Sequence, residues 1–471
     1  MTAYLQRLSY WLVVALFLAC QTTPKDTTPR KVEILFLGHD SEHHNSEEYL
    51  PYLATALTKK GINFTYSADP NDLNKENLAH YDGVALYANH DSITSSQEQA
   101  LLSFVKNGKG FIPIHCASYC FRNSADFVQL VGAQFKSHET GTFTADIINS
   151  EHPITQGLEV FETWDETYVH DLHNEDRTVL MERAEGDRKE PWTWVRDYGK
   201  GRVFYTAYGH DERTWKNPGF HALMERGILW AVGERVSDNL AKLSFPTLAY
   251  TNAKIPNYEK REPAPQLQTP LSVEESQALI QVPAGFELSL FASEPEINTP
   301  VAMTFDEKGR LWYLETTDYP NEINVEDGVG NDKIKIIEDT DGDGKADQFT
   351  VFADKLSVPT SMVFYDGGVI VAQAPHFLFL KDTDGDGKAD VRKEIISGWG
   401  TFDTHAGPSN LHYGFDNWIW GTVGYSAFNG KVGQDSIKFG QGIYRFKPDG
   451  STLEYMGSTS NNTWGLSLIH I

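Results

Sequence analysis

Asp339-Thr340-Asp341-Gly342-Asp343-Gly344-Lys345-Ala346-Asp347 recurs letter for letter as Asp382-Thr383-Asp384-Gly385-Asp386-Gly387-Lys388-Ala389-Asp390. Carboxylates fall at positions 1, 3, 5 and 9 of each copy, with glycine at position 6. That is the front of a calcium-binding loop, in which oxygens crowd round a hard cation and Gly344 or Gly387 permits the sharp turn. The bidentate Glu of position 12 is missing, since Thr350 and Lys393 stand there. Asp347 and Asp390 are expected to replace it. The flanks Ile334–Ile337 and Val369–Val371 read as strands, so each loop is expected on a β-hairpin, with Ca²⁺ held by Asp339, Asp341, Asp343 and Asp347 and by Asp382, Asp384, Asp386 and Asp390. The alternative is a pair of solvated acidic turns. Four carboxylates within nine residues repel one another without a cation, and a verbatim repeat is not ordinary turn usage.

Working outward, the 471 residues leave room for two or three domains, and 40% hydrophobic with 12% aromatic residues suits large packed cores. A net charge of −25 argues against a nucleic-acid or anionic-membrane partner, because phosphate binding needs clustered Lys and Arg. Residues 1–20 read as a processing signal: Arg7 is a thin positive region, Leu12 to Ala19 an apolar run too short to span a bilayer, and Phe17-Leu18-Ala19-Cys20 a lipobox-like end. Lipidation of Cys20, a tether over 21–30 and a place in the cell envelope, anchored to the membrane by lipid, are the expectation. The remaining cysteines, Cys116 and Cys120, are too few for a disulfide framework, and no Cys-x-x-Cys-His motif for c-type haem is present.

From 31 to 235, short apolar strands alternate with amphipathic helices: Val32–Leu37, a helix over Ser46–Lys60 with Leu50, Leu53, Ala54 and Leu57 on one face, Ile62–Tyr66, Gly83–Tyr87, a helix opened by a capping box at Ser95 and Glu98, and Phe111–Ile114. This rhythm predicts an α/β doubly wound, mostly parallel sheet with its site at the carboxyl ends of the strands. Polar residues collect there: Gly38-His39-Asp40 with His43 and His44, then Asn89-His90, His115-Cys116-Ala117-Ser118, Trp164-Asp165-Glu166-Thr167-Tyr168 and Gly209-His210-Asp211.

Through Gly38-His39, Ile114-His115-x-Ala117, Asp165-Glu166-x-Tyr168 and Tyr208-Gly209-His210-Asp211 this stretch resembles the ThuA-like (trehalose-utilisation) family, whose fold is that of class I glutamine amidotransferases, a flavodoxin-like arrangement. The resemblance implies a sugar-related role and a pocket around His115, Glu166 and His210, acting as acid/base pairs or as N/O ligands of a metal. His39, His90 and Tyr168 are expected to line it. An amidotransferase reading would instead make Cys116 a nucleophile with His210 as base, but the His-Cys-Ala-Ser elbow lacks flanking glycines.

Residues 236–280 lose periodicity and carry Pro246, Pro256, Pro263, Pro265 and Pro270, as a semi-stiff linker does. Ser272 and Glu275 fit a capping box. From 281 to 471, Pro300-x-x-Met303-x-Phe305, Pro359-x-x-Met362-x-Phe364 and Pro408-x-x-Leu411-x-Tyr413 each open a hairpin, at intervals near the ~40–50 residues of a propeller blade. About four blades would fit, an incomplete all-β propeller, and the chain reads as ending inside a blade.

Pro283-Ala284-Gly285-Phe286, Ala292-Ser293-Glu294-Pro295, Phe305 to Trp312, the two Asp-rich loops and Asn461-Asn462-Thr463-Trp464-Gly465 resemble the PVC-type membrane-bound dehydrogenase propeller, a relative of soluble quinoprotein sugar dehydrogenases. That resemblance implies oxidation of a carbohydrate, with His405 in Thr404-His405-Ala406-Gly407-Pro408 as general base, pyrroloquinoline quinone as hydride acceptor, and haem c in a further domain as electron acceptor. His376 is a second channel-lining candidate. The rival expectation is a non-catalytic, calcium-stabilised glycan binder with Trp418 and Trp420 as stacking platforms. A third is that the ThuA-like domain alone is catalytic.

Overall fold

The computed structural model describes residues 28–467, apart from Glu42, Pro256, Tyr258, Glu259, Pro263 and Glu322. The expected signal peptide and Cys20 lie outside the described residues. The chain divides into two compact units, Met1–Leu288 and Ser289–Ile471. Among the described residues no helix is long and apolar enough to cross a membrane.

In the first unit, β1 (Val32–Leu37), β2 (Ile62–Ser67), β3 (Gly83–Leu86) and β4 (Gly110–Pro113) pair in parallel in the order β2-β1-β3-β4. Strand Gly201–Thr206 adds in parallel beside β4, and Arg188–Tyr198, Thr178–Glu185 and Asp146–Ile147 follow antiparallel, giving eight strands. Apart from Glu33, the β1 side chains are fully buried, as a strand covered on both faces requires. The helices supply that cover. In Ser46–Thr58, Leu50, Leu53 and Leu57 recur at helical spacing and point inward, while Ala54 is half-buried. The chain leaves β1 toward β2 on one side and returns to β3 on the other, which opens a crevice at the carboxyl ends.

One helix start differs from expectation. The box that caps Ser95–Lys106 is formed by Thr94 and Gln97, one residue earlier than Ser95 and Glu98. Thr94 holds the extended backbone a cap needs, and the Glu98 carboxylate instead accepts from the Ser124 hydroxyl. The box at Ser272 and Glu275 does form, opening Val273–Leu279. Within the stretch expected as linker, Tyr250–Asn252 pairs with Gln266–Gln268. Residues just beyond it stay with the first unit: the Thr58 hydroxyl donates to Gln281 and the Ala284 amide to Thr65.

The second unit is three consecutive four-stranded antiparallel sheets, running from Pro300–Phe305 to Gln348–Leu356, from Ser361–Tyr365 to Val391–Ser397, and from Pro408–Tyr413 to Leu453–Gly457. Each opens at one of the three Pro-x-x-hydrophobic repeats, or just after it, and their first strands are neighbours. The count among the described residues is three where about four were expected. Two irregular investments explain this: residues 289–299 form no strand, and a hairpin, Phe428–Val432 with Asp435–Phe439, is inserted within the third sheet. The central strand Gly368–Gln373 is buried throughout because its alternate residues feed two cores. Val369 and Val371 join Trp312 and Phe352, while Ile370 and Ala372 join Phe377, Trp399 and Tyr444.

Candidate functional site

The crevice at the carboxyl ends of the first unit's sheet is built from five chain segments. After β4 the chain turns sharply into a short 3₁₀ helix, His115–Tyr119, and the residue bent into the left-handed region is His115, with φ 47°. The close approach of Gly209 (φ 138°) leaves room for it, since a Cβ there would lie 3.2 Å from that of His115. His44, in the loop after β1, is also left-handed, with φ 59°. Non-glycine residues hold this region at a cost of about 1–3 kcal/mol, and such strain gathers at functional sites.

Strand Glu162–Glu166 brings in Asp165 and Glu166. Asp165 is fully buried and ties two segments together. Its carboxylate accepts from the amides of Glu166 (2.9 Å), Gly209 (2.9 Å), His210 (2.9 Å) and Asp211 (3.2 Å) and from the Thr214 hydroxyl (2.7 Å). Burial pushes this carboxyl up to about 7, against hydrogen bonds that favour its anion.

Glu166 then faces four imidazoles. Its Oε2 lies 3.2 Å from His115 Nε2 and 3.9 Å from His44 Nε2, and its Oε1 lies 3.3 Å from His210 Nδ1 and 3.4 Å from His138 Nδ1. His44, His115, Glu166 and His210 bring one ligand atom each to within 4.8 Å of one another. His115 is fully buried, and its Nδ1–H donates to the Ala207 carbonyl at 2.7 Å. Burial pushes His115 down to about 3 and lowers His210 as well. Burial opposes the Glu166 anion, yet its place among four imidazoles holds the carboxyl below its usual range. At neutral pH the crevice therefore presents a carboxylate beside a neutral His115.

Of the other expected lining residues, Tyr168 and His39 are buried and His90 is partly exposed. Tyr168 is buried and stacks on the His115 ring, centroids 3.9 Å apart. His39 bonds through Nε2 to the His44 carbonyl, and His90 to that of Gly38, so both brace the loop that presents His44. His138 escaped notice in the sequence because it lies in a connecting segment with no motif around it. Cys116 does not fit the nucleophile alternative: it is buried among apolar neighbours, its thiol is pushed well above the usual range, and the strained elbow position belongs to His115.

In the second unit His405 is exposed. Its Nδ1 lies 3.1 Å from an Asp403 oxygen, the Asp403 carboxylate also accepts from the Tyr425 hydroxyl, and Tyr319 packs edge-on to the imidazole. His376 is held by Ser397 (2.8 Å) and Glu394 (3.3 Å) at the start of strand His376–Lys381. Arg445 lies over both Trp418 and Trp420, centroid distances 4.5 and 5.5 Å, so neither ring is a bare platform.

Both Asp-rich loops join adjacent antiparallel strands: Asp332–Glu338 to Gln348–Leu356, and His376–Lys381 to Val391–Ser397. The second is thus flanked by His376–Lys381 in place of Val369–Val371, which is one strand earlier. Gly344 (φ 88°) and Gly387 (φ 83°) take the left-handed turn that their position demands. Asp339, Asp341 and Asp347 gather their oxygens, as do Asp382, Asp384 and Asp390. Asp343 and Asp386 accept from the amides of Lys345 and Lys388. If the loops take Ca²⁺, Asp341→Ala with Asp384→Ala should lower the melting temperature in Ca²⁺ and leave it nearly unchanged in chelator. Equal losses in both buffers would remove the ions.

Residues 33–231 match the family model described as Trehalose utilisation, ThuA, and residues 272–470 match one described as a domain of unknown function, DUF7133. No curated protein matches the chain. A ThuA-like protein from Bacteroides uniformis is similar at 20% identity, TM-score 0.39, over 45% of this chain and 97% of its own. One from Parabacteroides merdae is similar at 19% identity, TM-score 0.39, over 43% and 90%. A β-galactosidase from Rahnella sp. R3 is similar at 17% identity, TM-score 0.33, over 43% and 31%. Over residues 33–231, then, the first unit is similar to the trehalose-utilisation family.

Proposed function

We propose that the ThuA-like domain is a catalytic unit acting on a carbohydrate, with Glu166 as the group that takes a proton from a sugar hydroxyl or an adjacent carbon. The observation that carries this is the convergence of Glu166 with His44, His115, His138 and His210 at the carboxyl ends of the sheet. His138 and His210 are the partly exposed members of the group and mark the side from which a ligand would reach the carboxylate. The lowered pKa keeps Glu166 in the proton-accepting form at neutral pH and makes it a weaker base than a carboxylate in the usual range.

A second reading rests on His405. An Asp403 oxygen beside Nδ1 orients the ring, as a base-positioning carboxylate does, and leaves Nε2 to face a substrate. On this reading the three sheets are blades of a calcium-braced, dehydrogenase-like propeller. A sugar is oxidised there with pyrroloquinoline quinone as acceptor, and electrons pass to haem c. We propose a cell-envelope lipoprotein, anchored through Cys20, as the setting for either activity.

The experiment is to incubate the purified chain with a panel of glucosides and their oxidised derivatives, and to follow products by NMR with and without quinone and a redox dye. Quinone-independent turnover abolished by Glu166→Gln and retained by His405→Ala supports the first reading. Dye reduction lost with His405→Ala and retained with Glu166→Gln supports the second. Glycan binding with neither activity would favour the non-catalytic binder.

A further inference from the structure

We infer that the first unit holds a divalent transition-metal ion on His44, His115, His210 and Glu166, bound by imidazole nitrogens and one carboxylate. This goes beyond the carbohydrate reading and does not rest on it.

Hydrogen bonding carries the first step. A carbonyl oxygen can only accept, so the bond to Ala207 puts the proton of a neutral His115 on Nδ1 and leaves a lone pair on Nε2. That lone pair points at Glu166 Oε2, 3.2 Å away. Two electron-rich atoms thus face each other at contact distance, an arrangement that a shared cation turns from repulsive to attractive.

His44 gives an independent observation. Its side chain is only 10% exposed, yet neither ring nitrogen has a hydrogen-bond partner. His210 Nδ1 is buried without one as well, although it lies 3.3 Å from Glu166 Oε1. Buried polar atoms are nearly always satisfied, and each that is not costs about 1–3 kcal/mol. Here the unsatisfied nitrogens belong to the side chains that converge on one carboxylate, so one ion would satisfy them together.

The surroundings match what metal ligands require. The Ala207 carbonyl fixes the His115 tautomer, which is the usual role of an outer partner to a ligating imidazole. Asp165 pins the backbone of both Glu166 and His210, and His39 pins that of His44. Two of the four ligands, His44 and His115, are presented from strained backbone.

Donor chemistry selects the ion. Three imidazoles and one carboxylate suit Zn²⁺ and its first-row neighbours, whereas Ca²⁺ and Mg²⁺ take oxygen. His210 is 27% exposed and His138, 3.4 Å from Glu166 Oε1, is 40% exposed. The ion would therefore lie near the solvent-facing rim, where a small ligand could join it only by expanding its coordination beyond the four protein groups.

The test uses the full chain, stripped with chelator and titrated with Co²⁺ in saturating Ca²⁺, which occupies any oxygen-only loops. One equivalent should bind with visible d–d bands and be displaced by Zn²⁺. His44→Ala and Glu166→Gln should each weaken Co²⁺ by at least about 100-fold, while Asp339→Asn with Asp382→Asn leaves the bands unchanged. If His44→Ala does not fold, His210→Asn at the half-exposed rim replaces it. Absence of the bands, their survival in the ligand variants, or their loss in the Asp-loop variant would overturn the assignment. Sugar turnover enters none of these readouts, so the metal assignment can fail while the carbohydrate one stands; if the ion binds, Glu166 serves as its ligand and not as the free base of the carbohydrate reading.

Discussion

Asp165→Ala should destabilise the first unit by about 4 kcal/mol, a large part of the ~5–15 kcal/mol that holds a typical protein folded. The mechanism is loss of a shared acceptor. Four backbone amides and one hydroxyl donate to this single buried carboxylate, and of these donors the Thr214 hydroxyl also lies 2.8 Å from the Thr163 hydroxyl, which can take its proton once the carboxylate is gone. At about 1–3 kcal/mol per unsatisfied buried donor the nominal loss is larger, and local relaxation with entry of water brings it down. Chemical denaturation followed by tryptophan fluorescence measures it, because Trp192, Trp194 and Trp215 are buried in this unit. A loss below about 1 kcal/mol would show that Asp165 does not organise the crevice.

Glu166→Gln should leave the fold intact and reduce turnover by about 10²–10⁴-fold, equivalent to about 3–5 kcal/mol of barrier. Gln keeps the size and one acceptor oxygen but cannot take the proton. The same variant has a signed pH dependence. The folded protein holds the Glu166 carboxyl below its unfolded value, so the unfolded chain binds the proton first as pH falls. The stability this group contributes is therefore fully present above about pH 4.5 and fades as pH drops below it. Melting curves of wild type and variant in chelator should differ at pH 7 and converge toward pH 3. A gap that widens in acid would mean the carboxylate is not stabilised by its imidazole neighbours.

Much of the crevice was legible because a parallel sheet turns sequence order into place. An apolar run such as Val32–Leu37 or Gly83–Leu86 ends where the next polar residues must fall on one rim. His115 and His210 followed from that rule, whereas Glu166 lies on a strand of a separate two-stranded sheet and its place in the pocket was what the family resemblance implied. The rule does not say which way a side chain points. His39 and Tyr168 sit on the same rim but are buried, held by the His44 carbonyl and by the His115 ring, while the partly exposed His90 is held by the Gly38 carbonyl. His138 reaches Glu166 although no sequence pattern marks it.

In the second unit the repeated Pro-x-x-hydrophobic openings located all three sheets, since a hairpin pattern is local. The number of sheets was not local, because an inserted hairpin interrupts the third. The Thr94 cap differs from the expected Ser95 for a related reason. Both residues have hydroxyls, and only Thr94 takes the extended backbone that turns one into a cap.

By itself, the sequence determined the alternation of strands and helices, the carboxyl-edge location of the candidate site and the two repeated acidic turns. These depend on periodicity, side-chain chemistry and glycine placement, all written within a few residues of one another. Only the tertiary structure decided that His44, His115, Glu166 and His210 share one point, and that the strained elbow carries His115 in place of a nucleophilic cysteine. Those outcomes depend on contacts between segments far apart in the chain, where burial and hydrogen bonding to distant carbonyls set each ring's direction and its proton.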